Sequence, residues 1–284
     1  MDMWFSDEHT SDVKLSFRIN KQLFSAESEL QKIDVLESTE FGKILVVDGD
    51  LALTERDGFI YHEMMTHVPM AVHPDARHVL VIGGGDGGIV RELVKYEDIE
   101  TIDVVEADPL LIEVCRKYLP EIASSLNDPR VKIYHEDGLR FIRTCYDAYD
   151  LIMIDSPNPF GHGEGLFTKE FYGNCYNALK SDGIMINQNE SPFYKEEAFQ
   201  CQRMHKRIVE TFPICKVYQA HLPAYPSGHW LFGFASKTYH PIDDLDGVKW
   251  TLKGIRTHYY APRLHAGVFA LPVYVEELLK DVEK

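Results

Sequence analysis

Residues 83–88, Gly-Gly-Gly-Asp-Gly-Gly, have the types and spacing of a ligand-binding loop. The apolar run 78–82 before them is typical of a buried strand, and the segment after them is typical of a helix. Glycines at such a turn, Gly83 and Gly85 among them, let the backbone approach a ligand closely. A second apolar run ends at Glu106, where a carboxylate can accept hydrogen bonds from both hydroxyls of a ribose. We therefore predict a ligand that contains a nucleoside.

Asp86, inside the same loop, indicates what kind of nucleoside this is. The glycine pattern also satisfies G-x-G-x-x-G, which is typical of nicotinamide dinucleotide sites. However, a pyrophosphate at a helix N-terminus is bound by backbone N–H groups and is repelled by a nearby carboxylate. Asp86 instead favours a ligand that brings positive charge to the loop, such as a sulfonium or an amine.

Two further acids follow predicted strands. Asp137 and Gly138 come after the third strand, where the carboxylate can accept from an adenine amino group, and Asp155 closes the fourth strand. A single acid after a strand can simply cap the next helix. Four polar strand ends in succession indicate a site. The Pro- and Gly-rich segment 156–165 is predicted to be a lid over the substrate.

The elements that must position these residues alternate between strand and helix from residue 77 onward. This alternation predicts an α/β, doubly wound parallel sheet with its ligand at the carboxyl ends of the strands. Before residue 56, the runs 14–19, 31–36, 43–47 and 51–53 alternate as antiparallel strands do. We predict an N-terminal β-strand domain over residues 1–56 and a catalytic domain over residues 57–284.

Composition limits the partners. The net charge of −16 argues against nucleic acid, which needs a basic face. No apolar run approaches membrane-spanning length, and the first residues lack a signal-peptide pattern. The five cysteines are scattered and odd in number, as expected of reduced thiols in a cytoplasm. We therefore expect a cytoplasmic protein with small-molecule substrates, no nucleic acid and no membrane.

Several of these motifs together resemble those of spermidine synthases, members of the polyamine aminopropyltransferase family. The likeness runs from Trp4 to residue 272 and rests on five segments: 82–88, Glu106, 137–138, 155–159 and 225–228 (Tyr-Pro-Ser-Gly). It implies a Rossmann-like, methyltransferase-type domain behind a small N-terminal antiparallel β domain. It also implies transfer of an aminopropyl group from decarboxylated S-adenosylmethionine to an amine, with putrescine expected, giving spermidine and 5′-methylthioadenosine.

The resemblance extends to single positions and to assembly. It implies Asp155 and Tyr61 as catalytic residues. It implies that the donor is bound by Gln31, His62, Gly83, Gly85, Asp86, Glu106, Asp137 and Gly138. It implies that the acceptor is bound by Trp4, Asn158, Gln188 and Tyr225. The family suggests a homodimer or homotetramer. The donor is a co-substrate, and no metal or other cofactor is expected.

One position departs from the family pattern. Asn158 stands where the family usually has a second carboxylate, three residues after the catalytic acid. An amide attracts the acceptor's ammonium less than a carboxylate does, and Glu164 or Glu190 could take over that role. Agmatine and cadaverine therefore remain alternative acceptors. An S-adenosylmethionine-dependent methyltransferase and a non-catalytic nucleoside-binding homologue are the rival functions.

The predicted chemistry needs few groups. The donor's sulfonium makes the adjacent aminopropyl carbon electrophilic. The acceptor amine is protonated at pH 7 and must lose a proton before it attacks. Asp155, aided by the hydroxyl of Tyr61, is the predicted proton acceptor. Asp86 is predicted to anchor the donor's own ammonium and so to align the reacting carbon.

Two other patterns are interpreted as structural and not as catalytic. His62 and His67 are five residues apart, so on a helix they do not share a face as the histidines of H-E-x-x-H do. Leu15, Phe17 and Ile19 on the N-terminal strands could supply apolar contacts between subunits.

Overall fold

The computed structural model describes residues 2–155 and 165–283. Six strands form its N-terminal part: β1 (Met3–Thr10), β2 (Val13–Ile19), β3 (Lys21–Glu27), β4 (Lys32–Ser38), β5 (Gly42–Val47) and β6 (Asp50–Thr54). β1 and β2 pair as an antiparallel hairpin, and β3 to β6 form a four-stranded antiparallel sheet. The predicted antiparallel region is therefore present. β1 and β3 are additional strands that the alternation pattern did not predict.

A seven-stranded sheet follows. Its strands are β7 (His78–Gly83), β8 (Thr101–Val105), β9 (Val131–Tyr134), β10 (Tyr149–Asp155), β11 (Leu179–Gln188), β12 (Ile214–His221) and β13 (His229–Ser236). They lie in the order β12-β13-β11-β10-β7-β8-β9. The order reverses between β7 and β10, where a doubly wound sheet binds its ligand. This confirms the predicted Rossmann-like, methyltransferase-type class.

One strand runs against the predicted parallel direction. β13 lies between β11 and β12 and is antiparallel to both, whereas β7 to β11 pair in parallel. The reason is the connection between β12 and β13, which is a turn over residues 222–228. A turn of that length can join antiparallel neighbours, but a parallel crossover needs a dozen residues or more.

Helices cover both faces of this sheet. They are α1 (Gly58–Val72), α2 (Gly88–Leu93), α3 (Pro109–Tyr118), α4 (Pro120–Ala123), α5 (Gly138–Ile142), α6 (Lys169–Ala178), α7 (Lys195–Val209), α8 (Gly247–Leu252), α9 (Pro262–Val268) and α10 (Val273–Leu279). A short 3₁₀ helix spans Ser124–Asn127. Among the described helices, none is long and apolar enough to cross a membrane.

The helix α1 is buried on almost every side. It packs in one apolar core that includes Ile33 of the N-terminal sheet and Ile184 of the large sheet. A helix that is apolar all round needs such a position between two layers. The polar residues Tyr61 and His62 in its second turn are therefore held inside the protein, next to the carboxyl ends of the large sheet's strands.

The apolar residues of β2 do not form an exposed contact surface. Phe17 and Ile19 are each only 5% exposed and pack with Leu36 and Ile44 in a small core of the N-terminal part. Leu15 is partly buried against the same core. The expectation that these three side chains face another subunit is therefore wrong for Phe17 and Ile19. Their alternation reflects the inner face of this sheet.

Candidate active site

Asp155 and Tyr61 form the central contact of the site. Asp155 is the last residue of β10, and the hydroxyl of Tyr61 donates to its Oδ1 over 2.7 Å. Burial and the negative charge of Asp86 raise the pKa of Asp155 to about 6, although the hydrogen bond from Tyr61 opposes that rise. Burial and the charge of Asp155 also raise the pKa of Tyr61, so Tyr61 remains a donor. The pair offers a carboxylate that can take up a proton near neutral pH.

Asp86 is held by the start of α2 and by His62. The backbone N–H of Gly88 donates to its Oδ1 over 2.6 Å, and His62 Nε2 lies 3.3 Å from its Oδ2. Burial opposes ionisation of Asp86, but His62 and the Gly88 N–H hold its pKa below its usual value. The His62 ring lies so close to Gly88 that a Cβ there would meet it at 2.1 Å. Glycine at position 88 is therefore needed for this contact.

Glu106 faces the glycine loop from the end of β8. A Cβ on Gly85 would lie only 2.9 Å from Glu106 Oε2, which explains glycine at that position. Glu106 Oε1 accepts the backbone N–H of Asp108 over 2.9 Å. Burial raises the pKa of Glu106 to about 7, with smaller contributions from the charges of Asp108 and Asp155. The carboxylate thus lies under the loop, with few donors of its own.

Gln31 reaches the site from the N-terminal part. Its Nε2 donates to Asp108 Oδ2 over 3.0 Å, and the hydroxyl of Ser28 donates to the same oxygen over 2.8 Å. The other oxygen of Asp108 accepts the backbone N–H of Leu110 and so caps α3. Asp108 was not among the predicted site residues. Its signal is local: an acid directly before Pro109 is typical of a helix N-cap with proline at the first position.

Three other predicted donor residues lie around the same sheet edge. Gly83 ends β7 and is in register with Asp155 on the neighbouring strand. Gly138 is the buried first residue of α5, where a Cβ would lie 2.5 Å from Ile82. Asp137 is exposed, and its Oδ1 accepts the backbone N–H of Arg140 over 2.8 Å. Asp137 therefore caps α5 with this oxygen, and its contact with adenine stays a prediction.

Gln188 and Tyr225 lie near the catalytic pair. Gln188 ends β11, one residue beyond the pairing of Ile154 with Asn187, so it is level with Asp155 on the adjacent strand. The ring of Tyr225 is 6.5 Å from that of Tyr61. The Tyr225 hydroxyl donates to the carbonyl of Ala52 on β6 over 2.6 Å, which fixes the ring from the N-terminal part.

Glu190, one of the two acids that the sequence offers in place of the family's second carboxylate, lies beside Gln188. Its side chain accepts from Gln188 Nε2 over 2.8 Å, and its backbone N–H donates to Gln188 Oε1 over 3.1 Å. Its φ of 65° is unusual for a residue with a side chain, and such backbone strain is frequent at functional sites. Burial raises its pKa to about 7, as does the charge of Glu197, whereas Gln188 and His9 act in the opposite direction.

Of the other predicted acceptor residues, only Trp4 lies within the described residues, and it is not in contact with this group. Trp4 lies on β1 opposite Arg18 and is 58% exposed, and it contacts none of the site's acids among the described residues. Asn158 lies outside the described residues, as do Glu164 and the predicted lid up to residue 164.

The two histidines of α1 have different partners, as their spacing predicts. His62 faces Asp86, whereas His67 Nε2 lies 3.0 Å from Glu92 Oε2 and its Nδ1 lies 2.7 Å from the hydroxyl of Tyr96. Trp250 donates to that same hydroxyl over 2.8 Å. His67 therefore belongs to a buried structural network.

A sheet of this order, with a glycine loop and acids at the strand ends, defines a nucleoside-binding transferase class related to methyltransferases. Comparison with known proteins narrows the class. The model of the spermine/spermidine synthase domain matches residues 58–244, and that of the spermidine synthase tetramerisation domain matches residues 3–55. The chain belongs to the spermine/spermidine synthase family of polyamine aminopropyltransferases, and it is a transferase.

Similar proteins match over the full length. The chain is 60% identical to the polyamine aminopropyltransferase of Alkaliphilus oremlandii over 284 residues, which is 100% of both chains. It is 56% identical to that of Agathobacter rectalis over 283 residues, covering 100% of this chain and 99% of the relative. A spermidine synthase crystallised with the transition-state analogue AdoDATO has a TM-score of 0.95 at 40% identity, covering 98% of this chain and 95% of that chain. The spermidine synthase of Thermotoga maritima has a TM-score of 0.94 at 39% identity, covering 98% and 94%.

Proposed function

We propose that the protein transfers the aminopropyl group of decarboxylated S-adenosylmethionine to putrescine, giving spermidine and 5′-methylthioadenosine. The observation that carries the proposal is the contact of Asp155 with Tyr61 beside Asp86. It offers one carboxylate for proton transfer and a second, of lowered pKa, for a cationic group. A methyltransferase that acts on S-adenosylmethionine has no need for this second acid beside the base.

The reaction is a direct displacement at carbon. The neutral acceptor nitrogen attacks the methylene carbon bound to the sulfonium. The new C–N bond forms as the C–S bond breaks, and the sulfur keeps the electron pair and leaves as neutral methylthioadenosine. The proton from the amine goes to Asp155. Tyr61 occupies Oδ1 of Asp155, and Oδ2 has no hydrogen-bond partner among residues 2–155 and 165–283, so we assign proton uptake to Oδ2.

The donor lies, in this proposal, along the carboxyl ends of β7, β8 and β9. Glu106 accepts from the ribose hydroxyls, Asp137 faces the adenine, and Asp86 pairs with the donor's ammonium. His62 orients Asp86, and Gln31 contributes from the N-terminal part. The sulfonium leaves without further activation, so the proposed reaction requires no metal and no redox cofactor.

For the acceptor, we propose that Glu190 holds the ammonium remote from the reacting nitrogen. Gln188 is level with Asp155, and Glu190 is hydrogen-bonded to Gln188. Glu190 is 3% exposed, and among the described residues its carboxylate accepts from the amide of Gln188 alone, so it gains from a cationic partner. Glu190 would then supply the second negative charge that Asn158 lacks.

A panel of amines tests the proposal. We would incubate the protein with decarboxylated S-adenosylmethionine and putrescine, cadaverine, spermidine or agmatine, and measure products by mass spectrometry. Putrescine should give the highest kcat/KM. A preference for another amine would overturn the acceptor assignment alone. Formation of a methylated amine from S-adenosylmethionine would overturn the proposal of aminopropyl transfer.

The same panel tests Asn158. If this residue faces the acceptor, Asn158→Asp should raise kcat/KM most for the short diamines, whose remote ammonium needs a close counter-charge. Asn177→Asp, at an exposed position of α6, adds the same charge elsewhere and serves as the control. An unchanged order of the four amines in Asn158→Asp would show that Asn158 does not set acceptor choice.

We also propose that the protein acts as a homo-oligomer in the cytoplasm, with domains 1–56 and 57–284. The match of residues 3–55 to a tetramerisation-domain model supports assembly into a homodimer or homotetramer. The five cysteines are all free, as expected of a reducing compartment.

A further inference from the structure

Three potential metal ligands meet at the amino edge of the large sheet, away from Asp155. His73 follows the last residue of α1, Asp150 is the second residue of β10, and Asp182 lies early in β11. Three ligand atoms, one nitrogen of His73 and one carboxylate oxygen from each aspartate, lie within 4.8 Å of one another. Nothing in the aminopropyl transfer uses these residues.

The ring nitrogen Nε2 of His73 is buried at this position. The His73 side chain is 6% exposed, and Nε2 has no hydrogen-bond partner among the described residues. The nearest acid oxygen, Asp182 Oδ2, is 3.6 Å away. A buried polar atom without a partner costs roughly 1–3 kcal/mol, and an ion that completes the site is one of the explanations for such an atom.

Asp150 is oriented for a cation. Its Oδ2 accepts the backbone N–H groups of Arg77 over 2.9 Å and His78 over 2.7 Å. Its Oδ1 faces the ammonium of Lys180 at 2.9 Å. Backbone bonds that fix one oxygen and direct the other are the support that metal ligands usually have. The Lys180 side chain is 30% exposed, so it can turn into solvent and leave Oδ1 free.

We propose that His73, Asp150 and Asp182 form a binding site for a divalent first-row transition-metal ion, with Lys180 as the competing cation. One imidazole and two carboxylates suit Zn²⁺ or Co²⁺. Ligand atoms on a tetrahedral ion with bonds of about 2.0–2.2 Å lie about 3.3–3.6 Å apart, so ligand atoms separated by the full 4.8 Å need to approach one another by about 1.2–1.5 Å. Asp182 is 43% exposed and can make that movement, and water can complete the coordination.

The site joins three elements of the fold. A bound ion would connect the end of α1 to β10 and β11, at the edge opposite the catalytic residues. The partial negative charge at the C-terminus of α1 adds to the attraction. Binding should therefore raise the thermal stability of the enzyme and leave the basal transfer rate unchanged.

Titration calorimetry with Zn²⁺ on tag-free, metal-free enzyme tests the proposal. The wild-type enzyme should bind one Zn²⁺ ion, and the His73→Asn variant should not bind it. Lys180→Met should bind this ion about tenfold more tightly or better, because a competing positive charge is gone. Lys169→Met is the matched control, since it removes a lysine from an ion pair with Glu210 elsewhere on the surface, and its affinity should equal that of wild type. Co²⁺ absorption should show the same order of affinities.

Two results would overturn the proposal. Equal Zn²⁺ affinity in wild type, Lys180→Met and Lys169→Met would mean that the ion binds elsewhere. Absence of Zn²⁺ binding to both wild type and Lys180→Met would mean that the cluster is a set of ion pairs only. If His73→Asn does not fold, the Zn²⁺ affinities of Lys180→Met and Lys169→Met still test the proposal. The shift in melting temperature that Zn²⁺ causes in each variant gives a second readout.

Discussion

The two ends of strand β10 carry the same residue type with opposite properties. Asp150, near the start, receives two backbone N–H groups and the ammonium of Lys180. Burial alone would raise its pKa, but these partners hold it below the usual value. Asp155, at the end, receives the hydroxyl of Tyr61 and faces the charge of Asp86, and its pKa is raised to about 6.

The difference shows that the number of donors, and not burial alone, decides what a carboxylate does here. At the amino edge of the sheet, Asp150 links the starts of β7 and β11 to β10. At the carboxyl edge, Asp155, Glu106 and Glu190 have few donors, and all three have raised pKa values. An under-satisfied buried acid gains energy when a substrate supplies the missing charge or proton.

The largest expected effect is the loss of kcat when Asp155 is replaced by asparagine. Asp155→Asn should lower kcat roughly 10²–10⁴-fold, the range for loss of a general base. Its melting temperature should hardly change, because asparagine keeps the size and the contact with Tyr61. Stopped assays of methylthioadenosine release and thermal melts measure both quantities.

Asp150→Asn is the matched exchange at the other end of the strand. It should lower the free energy of unfolding by about 1–3 kcal/mol, because the amide has only one oxygen to accept from either the backbone N–H groups or Lys180. It should leave kcat within a few-fold of wild type. Similar kcat losses in the two variants would remove the distinction between the two edges.

Glu106→Gln should weaken binding of methylthioadenosine. Loss of one charge-assisted hydrogen bond to the ribose costs roughly 1.5–3 kcal/mol, which is about 10–150-fold in affinity. Calorimetry on the folded variant measures this directly. Glu113→Gln, an exposed exchange on the following helix, should bind as wild type does. Unchanged affinity in Glu106→Gln would place the ribose elsewhere.

Glu190→Gln should raise the KM for putrescine by about tenfold, which corresponds to about 1.4 kcal/mol, with a smaller change in kcat. The KM for the donor should stay the same, because Glu190 lies on the acceptor side. Glu196→Gln on α7 is the exposed control. An increase in donor KM instead would indicate that the exchange disturbs the whole site.

The smallest effect is a shift in pH dependence. Because the pKa of Asp155 is raised to about 6, the ionised base disappears as the pH falls through 6, and kcat at saturating substrates should fall about tenfold per pH unit below that value. Asp86→Asn removes the charge that helps to raise this pKa. The acid limb should then move to lower pH by up to about one unit, while Asp98→Asn at the surface leaves it in place. An acid limb that stays at the same pH in Asp86→Asn would contradict the coupling.

Much of the fold follows from local pattern. The strands 78–82, 102–105 and 149–154 are apolar runs bounded by turn residues, and all lie in the large sheet. The direction of β13 was mispredicted, because an apolar run has the same pattern in either direction. β1 and β3 were missed because their exposed and half-buried residues give little alternation in hydrophobicity.

The candidate site was predictable where topology determines it. Parallel strands bring Asp86, Glu106 and Asp155 to one edge, and the structure places them there. Contacts between remote segments gave no local signal: Gln31 meets Asp108, and Tyr225 meets the carbonyl of Ala52. They depend on how the N-terminal sheet packs against the large one. Their roles toward substrate stay predictions.

The hydrogen bond from Tyr225 to Ala52 spans 173 residues of sequence, and it has a consequence for synthesis on the ribosome. A nascent chain that ends before Tyr225 already contains the glycine loop, Glu106, Tyr61 and Asp155. It lacks β13, the strand between β11 and β12, and the aromatic ring that the N-terminal sheet fixes beside Tyr61. Catalytic competence should therefore arise only when about the last fifth of the polypeptide is being synthesised, after all the predicted donor-binding residues.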